Sequence, residues 1–134
     1  MIIYWKGHIA PADSKAYFCQ MDLFATLGEY LGGDVPEGLD SESYPDVLLG
    51  KDLSKGREVQ ILEAQQRLAL RHGNYVYIPS YKGAKHNQTG IELGNNDTET
   101  LWNLAEDPTQ QEDLAGKMPE LLSSMREEFE KLKK

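Results

Sequence analysis

The sequence lacks the residue sets on which several kinds of functional site depend. Its 134 residues include one cysteine, Cys19, which cannot form an internal disulfide or a multi-cysteine zinc site. The three histidines, His8, His72 and His86, stand far apart, and no pair has the close spacing that predicts a metal site. Glycine-rich phosphate loops and Gly-x-Ser-x-Gly elbows are absent too. We therefore expect no catalytic residue and no metal ligand in this chain.

Long apolar runs and an excess of positive charge are also missing. No apolar run approaches the roughly 20 residues that cross a membrane, so we expect no membrane partner. Acidic residues number 22 against 14 basic ones, which gives a formal net charge of -8. Such a chain repels phosphate backbones, and we expect no nucleic-acid partner. One thiol fits reducing and oxidising compartments equally, so composition leaves the localisation unknown.

The apolar residues that are present predict an α+β chain whose N-terminal part is helical. Residues 2–5 are a β-prone run, which predicts an N-terminal strand. Apolar residues between positions 18 and 31 recur every three or four positions and are followed by Gly32-Gly33, which predicts the first helix. Turn-forming clusters over 34–56 predict an ordered loop that an apolar anchor at 47–49 holds in place.

Beyond this loop the apolar periodicity shortens to two residues and predicts a sheet. Four β-prone runs predict a four-stranded antiparallel sheet: residues 58–64, 67–72, 74–79 and 99–104. Asp107-Pro108 predicts a short helical turn that runs to Ala115. An apolar stripe from Pro119 onward predicts a C-terminal helix packed on the sheet. Two regions follow: strand, helix and loop over 1–56, and sheet with helix over 57–134.

Five short motifs, spread over nearly the whole chain, carry a family resemblance. They lie at residues 2–9, 21–27, 44–50, 68–78 and 99–115. The most specific, ETLWNLAEDP at 99–108, is similar to the pattern Glu-Leu-Tyr-Asn-Leu-x-x-Asp-Pro near the end of type I sulfatases of the alkaline-phosphatase-like superfamily. The chain departs from the family's usual residues at Lys6, Ala25, Val76, Trp102 and Asp113. In their order, the five motifs resemble the C-terminal part of these enzymes.

The resemblance implies a C-terminal fragment of a sulfatase whose full-length parent hydrolyses sulfate esters, expected to be those of carbohydrates. Family members use a formylglycine made within a Cys/Ser-x-Pro-Ser/Ala-x-Arg motif, beside a calcium ion. That motif is absent here, because Gln20 and Met21 follow Cys19. The resemblance therefore implies calcium and formylglycine for the full-length parent only, and we expect the isolated chain to be inactive. A periplasmic, secreted or lysosomal location is suggested by the family alone.

The missing sulfatase catalytic core is the partner that the resemblance implies. Residues 2–5 and the first helix resemble elements that pack against that core in the family. We therefore expect them to form an exposed apolar surface through which the isolated chain self-associates.

The polar stretch 80–97 is the candidate substrate-binding loop. It joins two predicted strands, and loops carried on a rigid sheet are common sites of specificity residues. We expect Lys82 and Lys85 to bind a sulfated saccharide as point charges and His86 to donate a hydrogen bond to it. The side-chain amide of Asn87 would form hydrogen bonds with sugar hydroxyls.

Two other interpretations remain open at the level of the sequence. The same superfamily includes phosphodiesterases and phosphonate hydrolases, and the C-terminal motifs alone do not distinguish sulfate from phosphate chemistry. Alternatively, the chain is an independent glycan-binding or protein-interaction module in which Trp5, Trp102 and the seven tyrosines offer a stacking surface.

Overall fold

The computed structural model describes residues 1–64 and 67–133. The chain divides into two compact units, Met1–Arg57 and Glu58–Lys134. In chain order the elements are α1 (Asp22–Tyr30), α2 (Pro45–Leu48), β1 (Val59–Ala64), β2 (Arg67–His72), β3 (Tyr75–Ile78), β4 (Thr100–Asn103) and α3 (Pro119–Leu132). None of the helices in the described ranges has the length and apolar character needed to cross a bilayer.

The first unit is organised around α1, whose buried side is polar. Asp22 and Thr26 are completely buried. The Thr26 hydroxyl oxygen accepts the amide of Tyr44 at 3.0 Å, and Ser41 Oγ accepts the amide of Ala25 at 3.0 Å. These bonds fix the segment after α1 against the helix, because buried polar groups are stable only when they find hydrogen-bond partners. The predicted ordered loop is therefore held mainly by hydrogen bonds.

The anchor predicted at 47–49 lies in a single helical turn. Pro45 occupies the first helical position of α2, where its missing N–H costs nothing, and Leu48 is buried. The Gly50 backbone has a φ of 69°, a left-handed conformation that glycine adopts easily at the end of a helix. The loop prediction thus holds for 34–44 and for 50–56, and α2 interrupts it.

The predicted N-terminal strand is wrong. Residues 2–5 make no ladder with any described segment, and the Trp5 carbonyl instead accepts the amides of His8 and Ile9 at 3.1 Å in a turn. β-propensity describes how a side chain fits a pleated surface, and a run without a partner strand gains nothing from it. The first helix is also shorter than predicted, since it begins at Asp22 and is preceded by a turn at residues 20–21.

The second unit is an antiparallel sheet in the order β1-β2-β3-β4, as predicted. Each strand lies within one residue of its predicted bounds at either end. Gly73 has a φ of 56° in the turn between β2 and β3, where glycine accepts the left-handed conformation. Register places Leu70 opposite Tyr77 and Tyr77 opposite Leu101, so these three residues form one row on one face.

Helix α3 covers that row, which confirms the predicted C-terminal helix. Leu70, Tyr77 and Leu101 are buried together with Met125 and Phe129 of α3. The rings of Tyr77 and Phe129 meet edge to face with centroids 5.6 Å apart, an arrangement that adds roughly 0.5–1.5 kcal/mol beyond the burial itself. The predicted apolar stripe ends at Phe129, since Leu132 is exposed.

The short helical turn predicted from Asp107 to Ala115 is wrong. This segment consists of separate turns, and Gln110 has a φ of 54°. A right-handed helix excludes positive φ. The Asp107 carboxylate accepts the amides of Gln111 and Glu112 at 2.6 and 2.7 Å, and these bonds bend the backbone away from the helical path.

Candidate functional site

The candidate loop 80–97 is an ordered, irregular hairpin. The amide of Tyr81 donates to the Asn96 carbonyl at 2.8 Å, and the amide of Leu93 donates to the Lys85 carbonyl at 2.8 Å. Near the tip, His86 and Glu92 form an isolated antiparallel bridge. The connection between β3 and β4 therefore has a ladder of its own, which limits how its side chains move.

Asn95 ties this hairpin to the sheet. Its side-chain oxygen accepts Nε of Arg67 at 2.9 Å, and its Nδ2 donates to the Ala84 carbonyl at 2.8 Å. The guanidinium of Arg67 also lies 5.0 Å from the ring centre of Tyr81, within the range of a cation–π contact. The Tyr81 hydroxyl in turn donates to the Leu68 carbonyl at 2.9 Å. Both ends of the loop are thus fixed to β2.

The four predicted site residues differ in their surroundings. Lys82, Lys85 and His86 are exposed, and Asn87 is half-buried. The side-chain oxygen of Asn87 accepts the amides of Thr89 and Ile91, at 2.9 and 2.8 Å. Asn87 therefore closes the tip of the hairpin, which is a common role for asparagine in turns. Of the four, Lys85 alone lines the groove described next.

A groove of about 250 Å³ lies beside β4, under the hairpin. We call it the amide groove, after the side-chain amides of Asn96, Gln110 and Gln111, and its lining also includes Lys85, Glu92 and Trp102. These residues come from the loop 80–97, from β4 and from the turn that follows Asp107. The fold brings them together, and no single stretch of sequence contains them.

The floor of the amide groove is held by internal bonds. Nε1 of Trp102 donates to Oγ1 of Thr100 at 3.0 Å, which fixes the indole in one orientation. Both residues point to the sheet face opposite Tyr77, because side chains alternate along a strand and Tyr77 pairs with Leu101. Trp102 is half-buried, so part of its ring remains accessible in the groove.

One wall of the groove is the turn that Asp107 organises. The backbone hydrogen bond from Glu112 lowers the pKa of Asp107, and the amide of Gln111 adds to this effect although desolvation opposes it. Asp107 thus stays ionised and keeps Gln110 in its left-handed conformation. Sequence reasoning identified Asp107-Pro108 as a turn and missed Gln110, because nothing in the local pattern signals its positive φ.

The described part of the chain offers no metal centre. It contains no group of three or more His, Cys, Asp or Glu side chains placed to hold a metal ion. The calcium that the family resemblance implies for a full-length sulfatase thus has no ligand set among these residues. Cys19 is half-buried in the turn before α1, and no Pro or Arg follows it in the arrangement that a formylglycine motif requires.

Helix α1 has an inverted distribution of polar and apolar residues. Its buried side carries Asp22, Ala25 and Thr26. One helical face carries Phe24 and Leu27, and Leu31 continues the i, i+3, i+7 spacing just after the helix ends. The exposed fractions of these three side chains are 62%, 42% and 78%. Ile2 and Tyr4 are 97% and 83% exposed as well. The first unit therefore presents the apolar surface that the sequence predicts.

Curated proteins similar to the chain include two sulfatases, while no family model matches the chain. An N-acetylgalactosamine-6-O-sulfatase from Bacteroides thetaiotaomicron is 32% identical over 135 residues, which is 98% of this chain and 26% of that protein. An ulvan-active sulfatase from Formosa agariphila is 28% identical over 136 residues, covering 83% of this chain and 27% of that protein. The chain spans about a quarter of the length of the curated relatives it matches.

Solved structures show the same relationship. A Bacteroides thetaiotaomicron protein from work on the metabolism of multiple glycosaminoglycans, designated 6S-sulf, superposes with a TM-score of 0.87 and 33% identity. The superposition covers 96% of this chain and 28% of that one. A 2-O GAG sulfatase shares the fold, with a TM-score of 0.54 and 22% identity over 82% of this chain and 23% of that one.

Proposed function

We propose that this chain, which is a segment matching the C-terminal region of sulfatases, is the non-catalytic C-terminal subdomain of an enzyme that hydrolyses sulfate esters of carbohydrates. The observation that carries the proposal is the TM-score of 0.87 at 33% identity over 96% of the chain. The sulfated-saccharide substrate is supported by the names of the relatives, which refer to N-acetylgalactosamine and ulvan.

The chemistry of the proposed reaction belongs to the rest of the full-length protein. Water cleaves the sulfate ester to release the free sugar hydroxyl and inorganic sulfate, and this needs an activated nucleophile and a cation that neutralises developing negative charge. In the proposal, formylglycine and calcium supply these functions outside the 134 residues. The relatives named above are all sulfatases, which favours sulfate over phosphate esters.

The first unit has a structural role in this proposal. The apolar face of α1, with Phe24, Leu27 and Leu31, would pack against the catalytic core of the same polypeptide. Burying such side chains stabilises an interface by about 1.5–3 kcal/mol for each one fully covered, whereas exposed they favour self-association.

The loop 80–97 has the functional role. Lys82, Lys85 and His86 would line the rim where a sulfated saccharide enters, since they are exposed cationic or donor groups on an otherwise acidic chain. Asn87 would act indirectly, by closing the turn that holds these residues in place.

The test is a comparison of two substrates in the full-length protein that carries this segment. Lys82, Lys85 and His86 are replaced with Ala one at a time, and the exposed Lys131 of α3 provides a matched control. We expect kcat/KM to fall for a sulfated oligosaccharide and to stay unchanged for a small aryl sulfate. Equal kcat/KM values on the oligosaccharide in every variant would refute the role of the loop.

Assays of the full-length protein and of the 134-residue chain also distinguish the two remaining alternatives. Hydrolysis of a phosphodiester with no release of sulfate from any sulfated sugar would favour the phosphodiesterase interpretation. Tight glycan binding by the 134-residue chain, with no activity in any longer form, would favour an independent binding module.

A further inference from the structure

We propose that the amide groove binds an unsulfated sugar unit of the glycan, at a distance from the sulfate that is cleaved. This inference rests on the proposed function, because it assumes a carbohydrate substrate. It assigns a second binding site to the chain, which adjoins the cationic rim of the loop 80–97 and shares Lys85 with it.

The size of the amide groove suits one sugar ring. Its volume of about 250 Å³ lies just below the roughly 300–1,000 Å³ of typical small-molecule pockets. Such pockets combine an apolar or aromatic surface with a few directed polar groups. Trp102 supplies the aromatic surface, and Asn96, Gln110 and Gln111 supply side-chain amides, which both donate and accept hydrogen bonds.

Side-chain amides match the chemistry of a neutral sugar. A sugar hydroxyl donates one hydrogen bond and accepts others, and an acetamido group carries one donor and one acceptor. Within the described ranges, the side chains of Asn96 and Gln110 make no hydrogen bond to protein. Their donors and acceptors therefore meet water in the free protein and are available to a ligand.

The charges in the groove argue against a sulfate ligand. Lys85 and Glu92 both line it, so the formal charges of these two side chains cancel. A sulfate-binding site is expected to carry an excess of cationic donors, because an uncompensated carboxylate beside a sulfate is repulsive. A neutral sugar ring needs no excess of cationic donors and is not repelled by a carboxylate. Lys85 and Glu92 can each form a charge-assisted hydrogen bond to its hydroxyls.

The walls of the groove are preorganised. Asp107 holds the turn that presents Gln110, and Asn95 holds the hairpin that presents Asn96 and Lys85. Gln110 is the only non-glycine residue with positive φ in the described ranges. Strained conformations of this kind persist where the surrounding bonds enforce them, and they concentrate at binding and catalytic sites. The backbone of the groove therefore loses little entropy when a ligand binds, and the main entropic cost is ordering the side chains of Asn96 and Gln110.

The experiment uses the 134-residue chain and a matched pair of probes: a 6-O-sulfated chondroitin tetrasaccharide and its desulfated counterpart. Binding is followed by two-dimensional ¹H–¹⁵N NMR. We expect both probes to shift the indole N–H signal of Trp102 with similar Kd values, and the Trp5 signal of the first unit to stay in place. Binding that needs the sulfate, or no shift of Trp102 with either probe, would overturn the inference.

Two variants locate the ligand in the groove. Gln110→Gly removes the side chain and tolerates the positive φ, and Asn96→Ala removes the second free amide. Each should weaken binding of the desulfated probe roughly two- to tenfold, the loss expected for one or two hydrogen bonds. Gln88→Ala, an exposed amide at the tip of the hairpin, is the control and should bind as the parent chain does.

Backbone NMR spectra show whether each variant is folded, so a loss of binding with an unchanged spectrum is decisive. Equal affinity in all three variants would place the ligand elsewhere and refute the proposal. Failure of the groove differs from failure of the proposed function: the first is a loss of binding in this chain, and the second is an absence of sulfate release by the full-length protein.

Discussion

Nε of Arg57 donates to Oδ2 of Asp22 at 3.0 Å, and these two buried residues lie 35 positions apart in the chain. The Asp22 carboxylate also accepts the amides of Cys19 and Glu42 at 3.0 Å each. Nη1 of Arg57 additionally lies 3.0 Å from the Glu42 carboxylate. This cluster joins the start of α1 to the end of the first unit, and it satisfies both buried charges.

Replacing Asp22 with Asn should destabilise the first unit strongly. The change leaves the buried Arg57 without its main carboxylate, and breaking a buried pair on one side costs about 3–5 kcal/mol. The measurement is the free energy of unfolding from urea titrations. Asp46→Asn is the matched control, because Asp46 pairs with Lys51 at 3.7 Å on the exposed surface. Equal effects of the two changes would contradict a stabilising role of the buried pair.

Acid should weaken the same cluster. Burial raises the pKa of Asp22, but the hydrogen bonds from Arg57 and from the Glu42 and Cys19 amides outweigh burial, and the net pKa lies below 3.8. A depressed folded pKa stabilises the fold above the unfolded value and loses that contribution as pH falls through the folded one. We expect the free energy of unfolding to drop below about pH 4, with a shallower slope in Asp22→Asn. Parallel slopes would refute this assignment.

His72 should give the opposite pH dependence in the second unit. Its hydrogen bond to Glu128 of α3, at 2.8 Å, raises the pKa of His72 above 6.5 despite partial desolvation, and Glu58 adds to the rise. A raised folded pKa stabilises the fold below the unfolded value and stops doing so as pH rises through the folded one.

Stability of the parent chain should therefore exceed that of His72→Gln at pH 5.5, and the difference should fade at alkaline pH. Thermal unfolding across this range is the measurement, and an NMR titration gives the pKa directly. His86→Gln, in the exposed hairpin, is the control. A difference that does not vary with pH would mean that the imidazole acts through packing alone.

Gly83→Ala should loosen the hairpin without unfolding the sheet. Gly83 has a φ of 147°, and an added Cβ would lie 2.8 Å from Nδ2 of Asn95, the residue that ties the loop to β2. Hydrogen exchange should show faster exchange of the Tyr81 and Leu93 amides, with the strands unaffected. Gly116→Ala is the control, since a Cβ there meets nothing within 4 Å. Unchanged protection in Gly83→Ala would show that the loop tolerates the side chain.

A charge on the exposed face of α1 should reduce self-association. Light scattering of the parent chain should show oligomers, and Phe24→Glu should shift them toward monomer because the charge disfavours burial of that face. Leu39→Glu changes an equally apolar, exposed side chain outside α1 and serves as the control. A monomeric parent chain would contradict the prediction.

The sequence predicted the second unit well because its information is local. The alternation of apolar and polar residues along each strand and the apolar stripe of α3 depend on residues that are close in sequence. The hairpin turn at Gly73 needs glycine for its φ of 56°. The first unit was harder to predict from the sequence. Residues 2–5 have the composition of a strand, but strand formation depends on a partner that a local pattern does not reveal.

The amide groove could not be predicted from the sequence. Asn96 and Gln110 meet only through the pairing of β3 with β4, and the left-handed Gln110 has no compositional signal. The candidate loop was found because its polarity marks it. The role of Asn87 as a turn-closing residue became visible only from its contacts with Thr89 and Ile91.

The strand order also bears on the speed at which the second unit acquires its structure. Every strand pairs with its neighbour in the chain, so the sheet has a low contact order, a property associated with rapid folding. The connection between β3 and β4 is the exception, because a long segment must close before the last ladder forms. Where the bonds from Asn95 to Arg67 and Ala84 form before that ladder, they shorten the loop that still has to close, and the residue that ties the hairpin to β2 then reduces the entropic cost of completing the sheet.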